Sequence, residues 1–454
     1  MPGNQRQNGE AKQQRYRAVA ALACAFLSGC AHYAPLPLAA APPLVSRAGD
    51  LAQAPAAGEL GIADVVALAL ANNPDLRAVR ARHGVAQAQL LQSGILPNPS
   101  FAGAVLPLIS GAGDATAWTA ALSQDVKALV TYRSRRRGAG FAARQVDAEI
   151  LWQEWQVAGQ ARQLTVDLIA GARTRPVLDE AFVLLSRRNE VLQQALAAGN
   201  VTLVTVAPTQ VALQAARTSR QTFDQRQLTL RHQLNALLGL VPDADLSFAT
   251  TIDLPPFDPA AIRAGLASLP DRRPDLLALR LGYGAQDQAV RTAILSQFPD
   301  LVLGASTSSD NSRVVNGGPQ VTIGLPVFDR NQGNIAIART TRIQLHNEYS
   351  ARLAAVTGEI GATLAEMAQL GQQLAVVRRD LPAAQLAASR AATAFGASNL
   401  DERSYVDLLV NRFTKEQEIA VLELALLDRQ VALQTLVGAG LPAIETLPTP
   451  VPAR

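Results

Sequence analysis

The sequence predicts a mainly α-helical protein with a small β part, built as two copies of one unit, and three observations predict it. The 454 residues are 48% hydrophobic but only 4% aromatic, which suits long helices in close contact better than a deep aromatic core. Laid against itself at an offset of 200, the chain pairs Pro74, Asp75 and Leu76 with Pro274, Asp275 and Leu276. In the same register it pairs Ala78, Arg80, Gly84 and Pro99 with Ala278, Arg280, Gly284 and Pro299, which marks an internal duplication. Finally, Leu178, Phe182, Leu185, Asn189, Leu192 and Leu196 are spaced alternately four and three apart. That narrow seam, with a period of about 3.5 residues, belongs to helices that pair as coiled coils.

From the N-terminus, residues 1–29 read as an export signal. Arg15 and Arg17 precede an apolar stretch, residues 18–27, too short to span a bilayer as a mature helix. It ends in Leu27-Ser28-Gly29-Cys30, which resembles the lipobox of bacterial lipoproteins, where the cysteine is acylated and becomes the new first residue. The plainer alternative is a cleaved signal with a chance cysteine. Cys24 falls inside the discarded stretch, so Cys30 is the one cysteine of the mature chain and no disulfide forms within a subunit. Residues 30–57, rich in Pro and Ala, have no helical or strand period and read as an extended arm.

The two repeats are residues 58–250 and 251–442, followed by a Pro-rich tail, 443–454. Each is expected to contain a helix, two short strands, a very long helix, a turn and a second long helix. The first helix, 62–94, ends before Pro97 and Pro99, which cannot continue it. Strands follow at 100–108 and 116–126, joined across Gly111, Gly113 and Asp114. Their counterparts are 300–307 and 320–328, joined by 308–319. There Val321, Ile323, Leu325 and Val327 alternate with Thr322, Gly324 and Pro326, the pattern of a strand with one apolar face. Ser123-Gln124-Asp125-Val126 is set against Leu325-Pro326-Val327-Phe328, and residues 234–239 against 433–438. A helix over 144–198 would be about 80 Å long, more than a compact domain can use. The seam recurs in Leu370, Leu374, Val377, Leu381, Ala384, Ala388, Ala391 and Phe395, and in Ile419, Leu422, Leu426, Arg429, Leu433 and Leu436.

Four strands cannot close a membrane barrel, and an open edge in hydrocarbon loses hydrogen bonds at several kcal/mol each. The edges therefore have to pair with other subunits. Three copies give twelve strands, an even number in the range of outer-membrane barrels, although edge counting alone leaves other multiples open.

Asn73-Pro74-Asp75-Leu76, Leu96-Pro97-Asn98-Pro99, Leu234-Asn235-Ala236-Leu237-Leu238-Gly239 and the duplication together resemble the TolC family of outer-membrane efflux proteins, over residues 58–440. The resemblance implies a homotrimer with a twelve-stranded membrane barrel, four strands per chain, continued by a coiled-coil helical barrel into the periplasm. It implies passive conduction, with no cofactor and no enzymatic step. The implied partners are a periplasmic adaptor (membrane fusion) protein, an inner-membrane RND-type pump and outer-membrane lipid. It also implies a constriction at the two helix–helix turns, 199–205 and 396–404. Asn72-Asn73-Pro74 and Leu96-Pro97-Asn98-Pro99 look closest to the heavy-metal cation branch; multidrug efflux or type I secretion is the alternative.

Candidate gate residues are Asp401, Glu402 and Asp407, since an inward acid repeated around an axis makes a ring that attracts cations. Asp401 and Glu402 equally suit the start of a helix through its dipole. Family members often carry an aspartate in a pattern such as Tyr-Leu-x-Leu-Leu-Asp-Ala-Gln. Here Val410 takes that place and Asp407, three residues earlier, shares roughly its helix face. Gly199, Val201, Leu203, Gly396, Asn399 and Leu400 at the turns are candidate adaptor contacts, or simply the start of the seam. Arg133, Arg135, Arg136 and Arg137 form the densest charge run, a solvated face or a contact for membrane phosphates. With 41 basic and 37 acidic residues, net +4, nothing calls for nucleic acid. His32, His83, His232 and His346 have no metal-ligand spacing, and no phosphate loop or nucleophile elbow occurs, which weighs against an enzyme. A lipid-anchored coiled-coil scaffold without a pore would need no duplicated strands.

Overall fold

The structure, a computed structural model, describes residues 33–55 and 58–443. The expected signal, Cys30 and all of the C-terminal tail but Ala443 lie outside them. The chain divides into two units at Leu44. In the first, residues 33–44 are exposed and contain no helix or strand.

The second unit begins with α1 (Ile62–Asn72) and α2 (Pro74–Ser93). The single helix expected over 62–94 is broken at Asn73, whose ψ of 123° leaves the helical region. Proline forces this, because its ring clashes with a helical residue before it while its own missing N–H suits a first turn. The Asn73 carboxamide oxygen then accepts from Leu76 N at 2.9 Å, capping α2. The strands β1 (Ser100–Leu106) and β2 (Ala117–Asp125) follow, then α3 (Lys127–Ala197) and α4 (Leu203–Leu238). At 71 residues α3 is about 105 Å long. It starts well before residue 144, because an Asp125 carboxylate oxygen accepts from Lys127 N at 2.8 Å and caps it directly off the strand.

The second half repeats the order. The short α5 (Pro259–Ala264) and α6 (Leu269–Arg272) lead to α7 (Pro274–Leu295), with the break now at Arg273 before Pro274. Then come β3 (Leu301–Ser309), β4 (Val315–Ile323), α8 (Gln332–Gly396) and α9 (Glu402–Val437). The fourth strand lies nearer its partner than 320–328. Asp310 accepts from Ser312 N at 2.8 Å and Val314 N at 2.9 Å, and Arg313 takes a φ of 63°, so the chain reverses within five residues, 310–314. Beyond Ile323 the ladder stops at Pro326, which has no N–H, leaving Leu325 and Val327 outside the strand and exposed. The counterpart of the β2 end at Asp125 is accordingly Ile323, and Leu325-Pro326-Val327-Phe328 lies past it.

The sheet runs β1-β2-β3-β4, antiparallel throughout, so the β2–β3 pair joins the two repeats and β1 and β4 are free edges. Its register separates two faces. Phe101 lies opposite Leu122, Val105 opposite Trp118, Leu301 opposite Ile323 and Leu303 opposite Val321, all on one face. The other face carries Thr119, Ser123, Gly304, Ser306, Ser308, Asn316 and Gln320. The less regular alternation of the first two strands thus resolves once cross-strand partners are counted. The apolar face covers no core: Phe101 is 73% exposed and Val105 71%.

The helical part buries its own apolar surface. Val65, Leu68, Leu164, Leu234 and Leu238 form one cluster where α1, α3 and α4 meet. Leu269, Val356, Ile360, Leu364 and Leu433 form its counterpart in the second half. The seam residues Leu178, Leu185 and Leu192 are buried, as are Leu374, Val377, Ala384, Ala388 and Ala391. In α9 the expected seam is mostly half-buried and Arg429 is exposed. Gly239 and Gly438 end α4 and α9 in the left-handed region, φ 74° and 77°. Each preceding turn is tied to the matching helix break, Asn73 Nδ2 donating to Leu237 O at 2.9 Å and Arg273 Nη1 to Leu436 O at 2.7 Å. Among the described residues no helix is long and apolar enough to cross a membrane.

Candidate functional site at the hairpin tips

Both hairpins reverse by the same backbone device. Gly199 has φ 75°, and Asn200 N donates to Ala195 O at 2.8 Å; Ser398 has φ 59°, and Asn399 N donates to Ala394 O at 2.8 Å. These are six-to-one bonds that satisfy the last helical carbonyls. The left-handed residue of the second turn is therefore Ser398, and Gly396 is the last residue of α8. A side chain there costs more than at Gly199, where the conformation suits glycine.

The side chains at the two tips differ. Around the first turn Leu203 is 68% exposed and Val204 83%, while Val201 is half-buried. Around the second, Leu400 is half-buried and Asn399 exposed.

Of the three acids, two are committed to the fold. Asp401 caps α9, accepting from Ser404 N at 2.9 Å and from the Ser404 hydroxyl at 2.7 Å. Those bonds, the hydroxyl's first, hold its carboxyl below the usual range. Glu402 is 6% exposed and points into the helix contacts. Its carboxylate accepts from Arg188 of α3 through Nε, at 3.0 and 3.1 Å, and through Nη2, and from the Thr209 hydroxyl of α4 at 2.9 Å. The Arg188 guanidinium lies over the Phe395 ring at 4.3 Å, and Phe395 stacks on Tyr405 at 4.9 Å. One partly buried cluster, with Glu402 and Thr209 at its centre, thus clamps all four long helices just inside the tips. Asp407 stays outside it, its side chain 70% exposed and 3.9 Å from Arg403. Val410, one turn further along α9, is half-buried, between the buried Val406 and Phe413.

Arg188, Thr209, Phe395 and Tyr405 escape a sequence reading because Arg188 and Glu402 are 214 residues apart and each alone looks like an ordinary helix position. Behind the clamp, Ala181, Leu185, Leu213, Leu409 and Phe413 form an apolar cluster between the first hairpin and α9. Arg412 of α9 then bonds Glu180 of α3. Further along, Gln163 Nε2 donates to Asp428 at 2.5 Å, and Asp167 lies beside that pair with Arg226 at 3.7 Å. Burial, and after it the charge of Asp428, pushes the Asp167 carboxyl up to about 6. Among the described residues no group of three or more His, Cys, Asp or Glu is placed to hold a metal ion.

Comparison with known proteins adds to this geometry. A family model described as outer membrane efflux protein matches residues 266–439. No curated protein matches the sequence. Among solved structures, CusC, described for conformational changes accompanying folding and transmembrane channel formation, is similar with a TM-score of 0.68 at 18% identity, over 90% of this chain and 100% of that one. The CmeC outer membrane channel of Campylobacter jejuni gives 0.69 at 16% identity, over 90% and 94%. The outer membrane protein VceC of Vibrio cholerae gives 0.68 at 17% identity, over 84% and 96%.

Proposed function

We propose that this chain, whose second half carries the outer membrane efflux protein family's sequence model and whose length has the fold of TolC-type outer-membrane channels, is the outer-membrane duct of a tripartite efflux system. It acts as a homotrimer and conducts passively. Its partners are a periplasmic adaptor and an inner-membrane RND-type pump, and Cys30 is its lipid anchor. The observation that carries the reading is the sheet: four strands, one apolar face, two open edges and no core beneath. Strands of nine residues are about 30 Å long, the right order for a tilted membrane strand. Open edges in lipid must pair, and cyclic repetition pairs them.

The hairpin tips form the periplasmic mouth. With Asp401 used as a cap and Glu402 inside the clamp, Asp407 is the acid left to line it, and the exposed Leu203 and Val204 are the apolar contact for the adaptor. The first substrate reading is heavy-metal cations, supported by Asn72-Asn73-Pro74 and Leu96-Pro97-Asn98-Pro99 at the start of the repeat. Multidrug efflux or type I secretion is the alternative.

The test is the mass and conductance of full-length protein extracted from outer membranes. A lipid-modified trimer forming discrete, low-conductance, cation-preferring channels is expected; a monomeric or dimeric rod without channel activity would overturn the reading. In the same bilayers Asp407→Ala should raise conductance and weaken cation preference. Unchanged values for both would remove Asp407 from the mouth.

A further inference from the structure

Where the sheet passes into the helices, the structure has a pocket of about 460 Å³. One wall is apolar, formed by Ile95, Leu96 and Pro97 just before β1; the other is polar, formed by Gln89 and Gln92 of α2 and Arg135 of α3. We propose that this pocket binds the phosphate-bearing headgroup of an anionic phospholipid, with the first part of its acyl chain on the Ile95–Leu96 wall.

The placement of Arg135 carries the proposal. Helical side chains lean toward the N-terminus of their helix, and for α3 that end is the sheet. Arg135 Nη2 donates to Ala128 O at 3.0 Å, seven residues back. Its guanidinium therefore sits about one helical turn nearer the sheet than its own backbone. The exposed Gln89 and Gln92 side-chain amides line the same pocket and have no hydrogen-bond partner among the described residues, so it has donors to offer. The adjoining stretch of α3 is rich in cations, of which Lys127 is paired with Asp300 at 2.6 Å. Lys127, Arg133, Arg135, Arg136, Arg137 and Arg144 follow β2 with no acid before Asp147, and basic clusters beside a membrane segment attract anionic lipid. Phe328, 93% exposed, and Leu325, 78%, stand at the foot of the same sheet, where apolar side chains meet the interface. A free phosphate would use the donors and leave the apolar wall wet; a phospholipid uses both.

The site rests on the outer-membrane reading above, so its test separates the two. Full-length protein in mild detergent is stripped of lipid and offered phosphatidylglycerol, phosphatidylethanolamine or inorganic phosphate. Bound molecules are counted by native mass spectrometry, and conductance is recorded on the same sample. We expect phosphatidylglycerol to be retained at about one per subunit and more tightly than phosphatidylethanolamine. Arg135→Gln should weaken it about tenfold, the effect of one charge-assisted hydrogen bond, and the exposed Arg137→Gln should weaken it less. Should Arg135→Gln fail to assemble, Leu96→Gln keeps the charge and should still lose lipid. Equal retention by wild type and both pocket variants would overturn the proposal, as would displacement of the lipid by inorganic phosphate. So would an Arg135→Gln oligomer that falls apart in lipid-free detergent with its lipid count unchanged, which would make the pocket a subunit contact. A conducting oligomer with no lipid preference overturns this site alone, whereas no conducting oligomer overturns the channel reading.

Discussion

Leu68 in α1 and Leu122 in β2 are leucines of one chain in opposite surroundings: the first is fully buried, the second 56% exposed beside Phe101 on a face that covers nothing. The helical body behaves as a water-soluble protein does, with closed clusters and a buried guanidinium whose charge is met by Asp275 and the carbonyl of Leu436. The sheet keeps the register of a folded element without a core of its own. The difference teaches that the two regions have different solvents, and that the sheet's second layer is supplied from outside the chain.

The largest effect expected is in the body. Arg273 is fully buried, bonded to Asp275 at 3.0 and 2.8 Å and stacked over Trp152 at 4.9 Å. Arg273→Ala leaves Asp275 with Arg352 alone, and breaking such a pair typically costs about 3–5 kcal/mol. Urea unfolding in detergent should show the loss, and a change under about 1 kcal/mol would contradict the packing described.

The sheet responds to sign and face. Leu122→Arg places a charge toward lipid and should cost about 2–4 kcal/mol per subunit near the midplane, seen as a fall in oligomer recovered from outer membranes. Thr119→Arg, on the opposite face, should leave the yield and alter conductance. Equal losses from both would deny the sheet two different environments.

At the tips, Glu402→Gln keeps the shape of the clamp and removes its charge. Amide exchange around Arg188 and Thr209 should quicken about tenfold, the equivalent of one hydrogen bond to a charged group, with conductance rising as the mouth loosens. No change in exchange would mean that the apolar cluster behind it holds the tips alone.

The smallest effect is a pH response. Burial raises the Asp167 carboxyl to about 6, above its ordinary 3.8, so the folded state binds the extra proton. Stability is then lowest above pH 6 and improves as pH falls from about 6 toward 4. Asp167→Asn should raise the melting temperature at pH 7 by roughly a degree or two and flatten that dependence. A wild type that loses stability over the same window, with Asp167→Asn unchanged, would contradict it.

Much of this was legible in the residues. The repeated Pro-Asp-Leu located the duplication but not the helix starts it marks, the leucine seams located the long hairpins, and residues 234–239 and 433–438 located their ends. What escaped depends on distance or on local exceptions. Pro319 reads as loop, yet on an edge strand a residue without an N–H is tolerated, and it pairs with Ala305. The start of α3 carries no leucine seam, because there the helix packs against α7 through small residues: a Cβ on Gly284 would lie 3.0 Å from the Phe141 ring. Asp401 shows its capping role in sequence, but Glu402 does not show its partner, since nothing near it in the chain points to Arg188.

The central claim is that the free edges β1 and β4 pair between copies to close a ring. Ala104 and Gly318 lie on the same face of these edge strands, and three strand spacings, about 14 Å, separate them within one chain. That is far beyond the reach of a disulfide. Cysteines at Ala104 and at Gly318, or at the same-face neighbours Asn316 and Gln320, can therefore join only different copies. Oxidised in intact outer membranes, the double variant should give a covalent series that stops at three chains. Monomers alone, or a ladder continuing past three, would contradict it.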